Sequence, residues 1–529
     1  MIRYILPLIV IISLLSLGGC TKREKDYNTI TIGSIGDAKR IIPMLASDSA
    51  SGDISGWIFN GLVKYDKNIT LVPDLAESFS ASDDCLTVTF KLRKGVKWQD
   101  GIEFTASDVL FTYQKLIDPD TGTPYSGDFE RIKDFNLIDK YTIKITYKEP
   151  FAPGLASWGM GIIPKHLLEN EDLNTTEFNR KPVGTGPYRM KEWVSGQKIV
   201  LEAYRNYFEG RAKIDKYIYR IIPDTATMFL ELKAGSLDYM GLRPIQYKRQ
   251  TDTEYFNREF NKFKYPGFAY TYLGYNLRDP KFSDKRVRQA ITYAINKESV
   301  INGVLLGLGR PSTGPFPPES WAYNPDVKDY GYDPEKAESL LKEAGWEDHN
   351  NDGIIEKDGK AFKFTILTNQ GNEERAKTAE IIQQNLEKVG IKVDIRIVEW
   401  QAFLHQFIDK RKFEAIILGW SLGRDPDAYD IWHSSKTKEG EFNFISYNNP
   451  RVDELLVEGR NTCNKEKRKK IYHEIHRILS DEQPYTFLYY PTALPILHKR
   501  FKGVKPSPIG IWYNFPKWYV PQNKAEWYE

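Results

Sequence analysis

The residue clusters best suited to chemistry each stop one residue short of a working site. His473-Glu474-Ile475-His476 is a zinc-type helical motif with one residue missing. Two histidines at i and i+3 share a helix face, but the seven histidines are scattered and offer no third ligand, so a solvated helix is the plainer reading. Asp348-His349-Asn350-Asn351-Asp352-Gly353-Ile354-Ile355-Glu356 matches a calcium loop at positions 1, 3, 5, 6 and 8. Position 12, which must close the shell with a bidentate carboxylate, is Gly359, and the segment leads toward a strand; an Asx-rich turn is expected. Gly184-Thr185-Gly186 begins a dinucleotide-type turn, but Arg189 stands where the third glycine belongs. There is no phosphate loop and no Gly-x-Ser-x-Gly elbow. No catalytic residue, metal or cofactor is assigned, which leaves binding as a simpler class than catalysis.

The cysteines bear on compartment. Arg3 precedes an apolar run from Tyr4 to Leu17, closed by Leu17-Gly18-Gly19-Cys20. A spanning helix needs about 20 apolar residues, so this run reads as a secretory signal. The tetrad resembles the lipobox of bacterial lipoproteins, which implies a signal peptide over residues 1–19 and lipidation of Cys20. Thr21-Lys22-Arg23-Glu24-Lys25-Asp26 falls in a polar tether over residues 20–28, and its basic residues suit anionic headgroups. The chain would then be anchored to the cell membrane on its extracytoplasmic face without spanning it. Cys85 and Cys463 are too few for a disulfide framework and too far apart for a metal motif, and they are expected to stay unpaired.

Beyond the leader, about 500 residues suffice for three to four domains or one multi-lobed body. Lys and Arg number 74 against 71 Asp and Glu, a net charge of +3, and no basic block suggests a nucleic-acid surface. Between residues 66 and 150 the pattern alternates: Leu86, Val88, Phe90 and Leu92, then Tyr141, Ile143, Ile145 and Tyr147, both half-buried strands. Farther on, Asp333 and Pro334 open a helix that Gly345 closes, with Ala337, Leu340, Leu341 and Ala344 on its apolar stripe. A strand through Phe362, Phe364 and Ile366 follows. Next come a helix from about Glu373 to Val389, a strand through Ile391, Val393, Ile395 and Ile397, a helical stretch from Trp400 to Asp409, and a buried strand ending at Trp420. Strand, helix, strand, helix, strand predicts an α/β lobe with parallel strands, whose ligands sit beyond the strands' carboxyl ends. That places attention on Ser421 to Asp430, which holds Arg424, Asp425 and Asp427; the alternative for each charge is a solvated turn around Pro426.

Several ordered motifs then carry a resemblance over almost the whole mature length. They include Gly61-Leu62-Val63, Pro73-Asp74-Leu75-Ala76-Glu77-Ser78, Leu92-Arg93-Lys94-Gly95-Val96-Lys97-Trp98-Gln99-Asp100-Gly101, Val183-Gly184-Thr185-Gly186-Pro187-Tyr188 and Asp284-Lys285-Arg286-Val287-Arg288-Gln289-Ala290-Ile291. The chain resembles solute-binding protein family 5, the extracytoplasmic peptide- and nickel-binding proteins of ABC importers. The resemblance implies a periplasmic-binding-protein type II fold, with two hinged α/β lobes and an additional inserted lobe. By analogy lobe I is 29–65 with 182–275 and 495–529, the insert is 66–181, and lobe III is 276–494. It implies a peptide held between lobes through its backbone, on a strand at Gly419-Trp420-Ser421, with Ser49-Ala50-Ser51 facing it. Relatives often hold the ligand's amino terminus with an aspartate three residues after this tryptophan; here that position is Gly423, with Arg424, Asp425 and Asp427 beside it as candidate contacts. The implied partners are permease subunits in the membrane, to which a monomer delivers its ligand. Nickel chelates, opines or sugars as ligands, or a peptide chaperone or sensor without transport, are the alternative readings.

Overall fold

Alternating apolar residues make the strands, and the long segments between them decide which sheet each strand joins. The structure is a computed structural model that describes residues 27–508 and 510–527. The signal peptide, Cys20 and the tether to residue 26 lie outside the described residues. Asn28, assigned above to the tether, already belongs to the folded body, where its amide bonds Asp215 at 3.1 Å.

The folded chain opens with β1 (Thr29–Ser34) and α1 (Ser49–Ile58). Four strands follow: β2 (Ala76–Ala81), β3 (Thr87–Leu92), β4 (Ile132–Asp139) and β5 (Thr142–Tyr147). They form an antiparallel sheet of their own in the order β2-β3-β5-β4. Val88, Phe90, Leu92, Ile143, Ile145 and Tyr147 alternate into its core as their spacing predicts. Next come β6 (Tyr188–Val194), β7 (Lys198–Ala203), β8 (Lys216–Ile221), β9 (Tyr239–Gly241) and β10 (Phe260–Lys262). With β1 and a late strand they make a seven-stranded sheet in which β1 runs parallel to β8, Thr29 opposite Lys216.

The chain then crosses to a second seven-stranded sheet. It enters through β11 (Tyr265–Pro266) and β12 (Ala269–Tyr275), and continues with β13 (Lys363–Asn369), α2 (Glu373–Glu387), β14 (Lys392–Val398) and β15 (Ala415–Ser421). Two helices, α3 (Pro450–Asn461) and α4 (Lys465–Glu482), precede β16 (Tyr485–Ala493), after which β17 (Pro495–His498) returns to the first sheet. β13 pairs in parallel with β14 and with β15, as the strand and helix order predicts, whereas β12 pairs antiparallel with β15 on one side and with β16 on the other. The two crossings lie side by side, Tyr265 opposite Ala493 and Pro266 opposite Thr492, a two-stranded hinge. The expected helix from Trp400 to Asp409 is one α-turn followed by wider turns over Phe403–Ile408.

Apolar burial follows this division. One core runs from the first sheet into the inserted sheet without a break, through Ile30, Ile54, Phe90 and Trp158. Two further cores cover the faces of the second sheet, one through Val287, Ile366 and Ile382 and the other through Ile416, Leu456 and Phe487. No helix among the described residues is long and apolar enough to cross a membrane.

Two expectations are corrected. Cys85, in the β2–β3 turn, and Cys463, between α3 and α4, are joined as a disulfide with 6.2 Å between their Cα atoms, although 378 residues separate them in sequence. Sequence distance sets no lower bound on distance in space once two sheets face each other, and an extracytoplasmic compartment tolerates the bond. His476 is not on a solvated face: it is fully buried, and its Nδ1 accepts the Asn324 N–H at 3.1 Å. Burial lowers its pKa to about 3 and keeps the ring neutral. In the Asp348–Glu356 loop the side chains serve the loop's own backbone. Asp348 accepts from Gly353 N–H across the loop, while Asn350 accepts from Asp352 N–H and Asp352 from Ile354 N–H, both Asx-type bonds.

Candidate ligand-binding site

The walls of the cleft begin with α1. Asp48 caps the helix by accepting from Ser51 N–H, and Gly186 N–H donates to Ile58 O at 2.7 Å at the other end. The Gly184-Thr185-Gly186 turn exists for this approach: a Cβ on Gly184 would lie 1.9 Å from Ile58 O. The motif that looked like half a nucleotide loop therefore holds a helix against backbone. Apolar Ile54 and Ile58 are buried, while Ser49, Gly52, Asp53 and Gly56, at i, i+3, i+4 and i+7, form the exposed stripe.

The opposite wall is the second sheet, and its decisive feature is a strand edge. Leu422 N–H donates to Phe268 O at 2.9 Å. Bonded pairs alternate along an antiparallel ladder, so Trp420 with Tyr270 and Leu418 with Tyr272 are bonded pairs. Gly419 and Ser421 then turn their N–H and C=O groups to the other edge. There β13 pairs with β15 only at Ala415 and Ile416, and Thr368 Oγ1 donates to Ile417 O at 3.1 Å. Beyond Ile417 the edge opens into a cavity of about 870 Å³ lined by Gly419, Trp420, Ser421, Ser49, Asp53, Tyr125 and residues of the hinge. That volume lies toward the large end of small-ligand sites.

Aromatic rings floor the cavity. Trp420 is half-buried, stacks on Phe444 at 5.7 Å and meets Phe442 edge-on at 5.4 Å. Tyr125, from the insert, meets the same Phe442 at 5.5 Å. Trp400 presses on the first lobe, where a Cβ on Gly36 would come within 2.6 Å of its ring.

The two walls are also tied by polar contacts. Lys39 pairs with Asp409 at 2.7 Å, Arg243 with Glu373 and Glu374 at 2.7 Å each, and Gln401 Nε2 donates to Asp37 O at 2.8 Å. At the outer rim Arg460, fully buried, joins Asp427 and Asp128 at 2.7 Å each and lies 3.9 Å above the Tyr429 ring. The structure is thus a closed arrangement of the lobes.

The structure separates the residues expected from sequence. Gly419, Trp420, Ser421 and Ser49 line the cavity. Ala50 and Ser51 do not: both are buried in a helix, and the Ser51 hydroxyl is held by Asp48 at 2.5 Å, so this segment cannot pair as a strand. Gly423, Asp425 and Asp427 border a separate small pocket. Asp425 is no free anchor for an amino terminus, because Arg468 grips both its oxygens at 2.6 and 2.7 Å. Asp427 is likewise taken by Arg460, and Arg424 stacks over Phe268 at 4.4 Å, outside the cavity lining.

Sequence reasoning missed Asp53 and Arg375. The signal for Asp53 was the small-residue stripe of α1. For Arg375 it was its place in the first turn of α2, just past the carboxyl end of β13. Burial, with Asp48 nearby, pushes the Asp53 carboxyl up to about 7, and burial lowers the Arg375 guanidinium. Asp53 keeps accessible surface, but that surface opens onto the cavity, so protein surrounds the carboxylate and desolvates it. Among the described residues no histidine lines the cavity.

Comparison with known proteins agrees with this geometry. Residues 70–442 match the family model of bacterial extracellular solute-binding proteins, family 5. The oligopeptide-binding protein AppA of Bacillus subtilis is 38% identical over 503 residues, covering 93% of this chain and 91% of that protein. Its structure in complex with a nonapeptide superposes with a TM-score of 0.89 at 37% identity, over 93% of this chain and 99% of that one. NikZ of Campylobacter jejuni in complex with Ni(L-His) superposes with a TM-score of 0.86 at 31% identity, over 93% and 99% of the two chains. Two α/β lobes closing on an open strand edge, a match over most of the length and relatives above 30% identity together place this chain in family 5 of the bacterial extracellular solute-binding proteins.

Proposed function

We propose that this chain is the lipid-anchored extracytoplasmic receptor of an ABC-type importer, capturing oligopeptides in the interlobe cleft and delivering them to permease subunits as a monomer. In this reading residues 29–65, 182–275 and 495–529 act as lobe I, 66–181 as the insert and 276–494 as the lobe that closes on them.

The observation that carries the reading is the open edge at Gly419 and Ser421 above the cavity. An extended peptide adds a strand to such an edge, and every peptide carries the backbone groups required, so affinity does not depend on one sequence. Trp420, Phe442 and Tyr125 supply apolar surface for side chains without shaping a tight pocket. The nonapeptide held by the Bacillus subtilis relative supports this class of ligand.

Native mass spectrometry of freshly purified protein tests the reading. Co-purified adducts of mixed mass that fragment as peptides are expected. One sharp non-peptide adduct would reassign the cleft to a small solute, the case that the Ni(L-His) relative makes worth checking. Uptake of labelled peptide that persists without the permease would remove the importer role.

A further inference from the structure

Among the described residues eight charged ones line the cavity: Lys39, Asp48, Asp53, Arg243, Glu374, Arg375, Asp409 and Glu441. Six are answered from within the protein. Lys39 pairs with Asp409 and Arg243 with Glu374, Asp48 holds the Ser51 N–H and hydroxyl, and Glu441 lies 3.8 Å from Lys436.

The remaining two are of opposite sign and stand on opposite walls. Asp53, on α1, has no hydrogen bond or ion pair among the described residues. Arg375, on α2, donates one Nη1 bond to Asn369 Oδ1 at 2.8 Å and, among the described residues, meets no carboxylate at ion-pair distance. Its Nη2 is near the ligand edge, 3.2 Å from where a Cβ on Gly419 would be. The charged neighbour of Asp53 is Asp48 and that of Arg375 is Glu374, so the two do not neutralise each other across the gap. An unpaired charge in a desolvated site is costly unless a ligand completes it.

We propose, resting on the peptide reading above, that Asp53 and Arg375 form a two-point charge clamp. Asp53 takes a cationic group of the peptide and Arg375 an anionic one, so a peptide carrying both bridges the walls. The consequence reaches beyond affinity. A ligand drives closure only through contacts made in the closed form and not in the open one, and a bridge between lobes is such a contact. The glycines at 52 and 56 leave the α1 wall open around Asp53, since a Cβ on either would meet nothing within 4 Å.

The test uses the full mature chain, freed of co-purified ligand, and alanine oligomers of three to six residues in four forms: free, amino-acetylated, carboxyl-amidated and doubly capped. A doubly capped oligomer with one internal lysine separates a side-chain cation from the amino terminus. Titration calorimetry reads affinity and solution scattering reads compaction. We expect free oligomers to bind at least tenfold more tightly than doubly capped ones, the loss typical of a charge-assisted hydrogen bond. Asp53→Asn should erase the preference for a cation, Arg375→Gln the preference for a free carboxylate, and each should weaken the free oligomers more than the doubly capped all-alanine ones. Asp53→Glu and Arg375→Lys, which keep the charges, should retain the preferences and guard against a folding artefact. Equal weakening of capped and free forms by Asp53→Asn or Arg375→Gln would overturn the clamp while leaving the peptide reading intact. Failure of every oligomer to bind would overturn both.

Discussion

Replacing Arg460 by Met should destabilise the protein and loosen its closed form, and the structure sets the size of the effect. The guanidinium is fully buried, with Nε at 2.9 and 3.0 Å from the Asp427 oxygens and Nη2 at 2.7 Å from Asp427 and from Asp128. Burial alone would lower its pKa, but Asp427, Asp128 and Asp430 outweigh burial and raise it. The substitution leaves those carboxylates facing one another without a cation. Removing one member of a buried pair costs about 3–5 kcal/mol, because the remaining charge stays desolvated. Asp128 belongs to the insert and Asp427 to the second sheet, so part of that loss falls on closure and the rest on the fold. The pH dependence has a defined sign. Asp128 is already raised and Asp430 is pushed up to about 7, by burial first and despite Arg460. Without Arg460 both rise further. A carboxyl group raised in the folded state favours folding at low pH, and that contribution is lost as pH rises through its folded pKa. The deficit of Arg460→Met should therefore be largest above pH 7 and shrink toward pH 4. Urea unfolding across that range, with scattering for compaction, measures both parts. A loss below about 1 kcal/mol at pH 8, or a deficit that grows on acidification, would refute the reasoning.

Three further outcomes are expected. Cys85 and Cys463 should resist alkylation until a reductant is added, and Cys85→Ser should cost about 2–4 kcal/mol and widen the ligand-free protein in scattering, since the bond ties the insert to the second sheet away from the hinge; alkylation of both thiols in untreated protein would contradict this. On the proposed lipid anchoring, Cys20→Ser should leave a folded protein that no longer sediments with membranes after a high-salt wash, because the acyl chains would be lost; a variant that still sediments would contradict it. Gly184→Ala should destabilise by about 2 kcal/mol or more and weaken peptide binding by displacing α1, since the new Cβ would lie 1.9 Å from Ile58 O; unchanged melting would rule that out.

What the sequence by itself determined is what local periodicity reports. Val88, Phe90 and Leu92, then Ile143 and Ile145, alternate because one face of a strand is buried; the helix after Asp333 begins where its cap puts it, and the one from Glu373 follows its apolar stripe. The ordered motifs led to the family and to the edge at Gly419 and Ser421. The tertiary structure alone decided which charges are free. Asp425 looked like an anchor, but Arg468, 43 residues away, takes both its oxygens. Cys85 and Cys463 looked unrelated, but they meet 6.2 Å apart at their Cα atoms. Ser51 was expected to face the ligand, yet it is buried in a helix, while Asp53, two residues on, lines the cavity. The spacing of apolar residues fixes which face of an element is buried. The partner of a charge or a thiol is fixed by which elements pack together, and the spacing within one element carries no record of that.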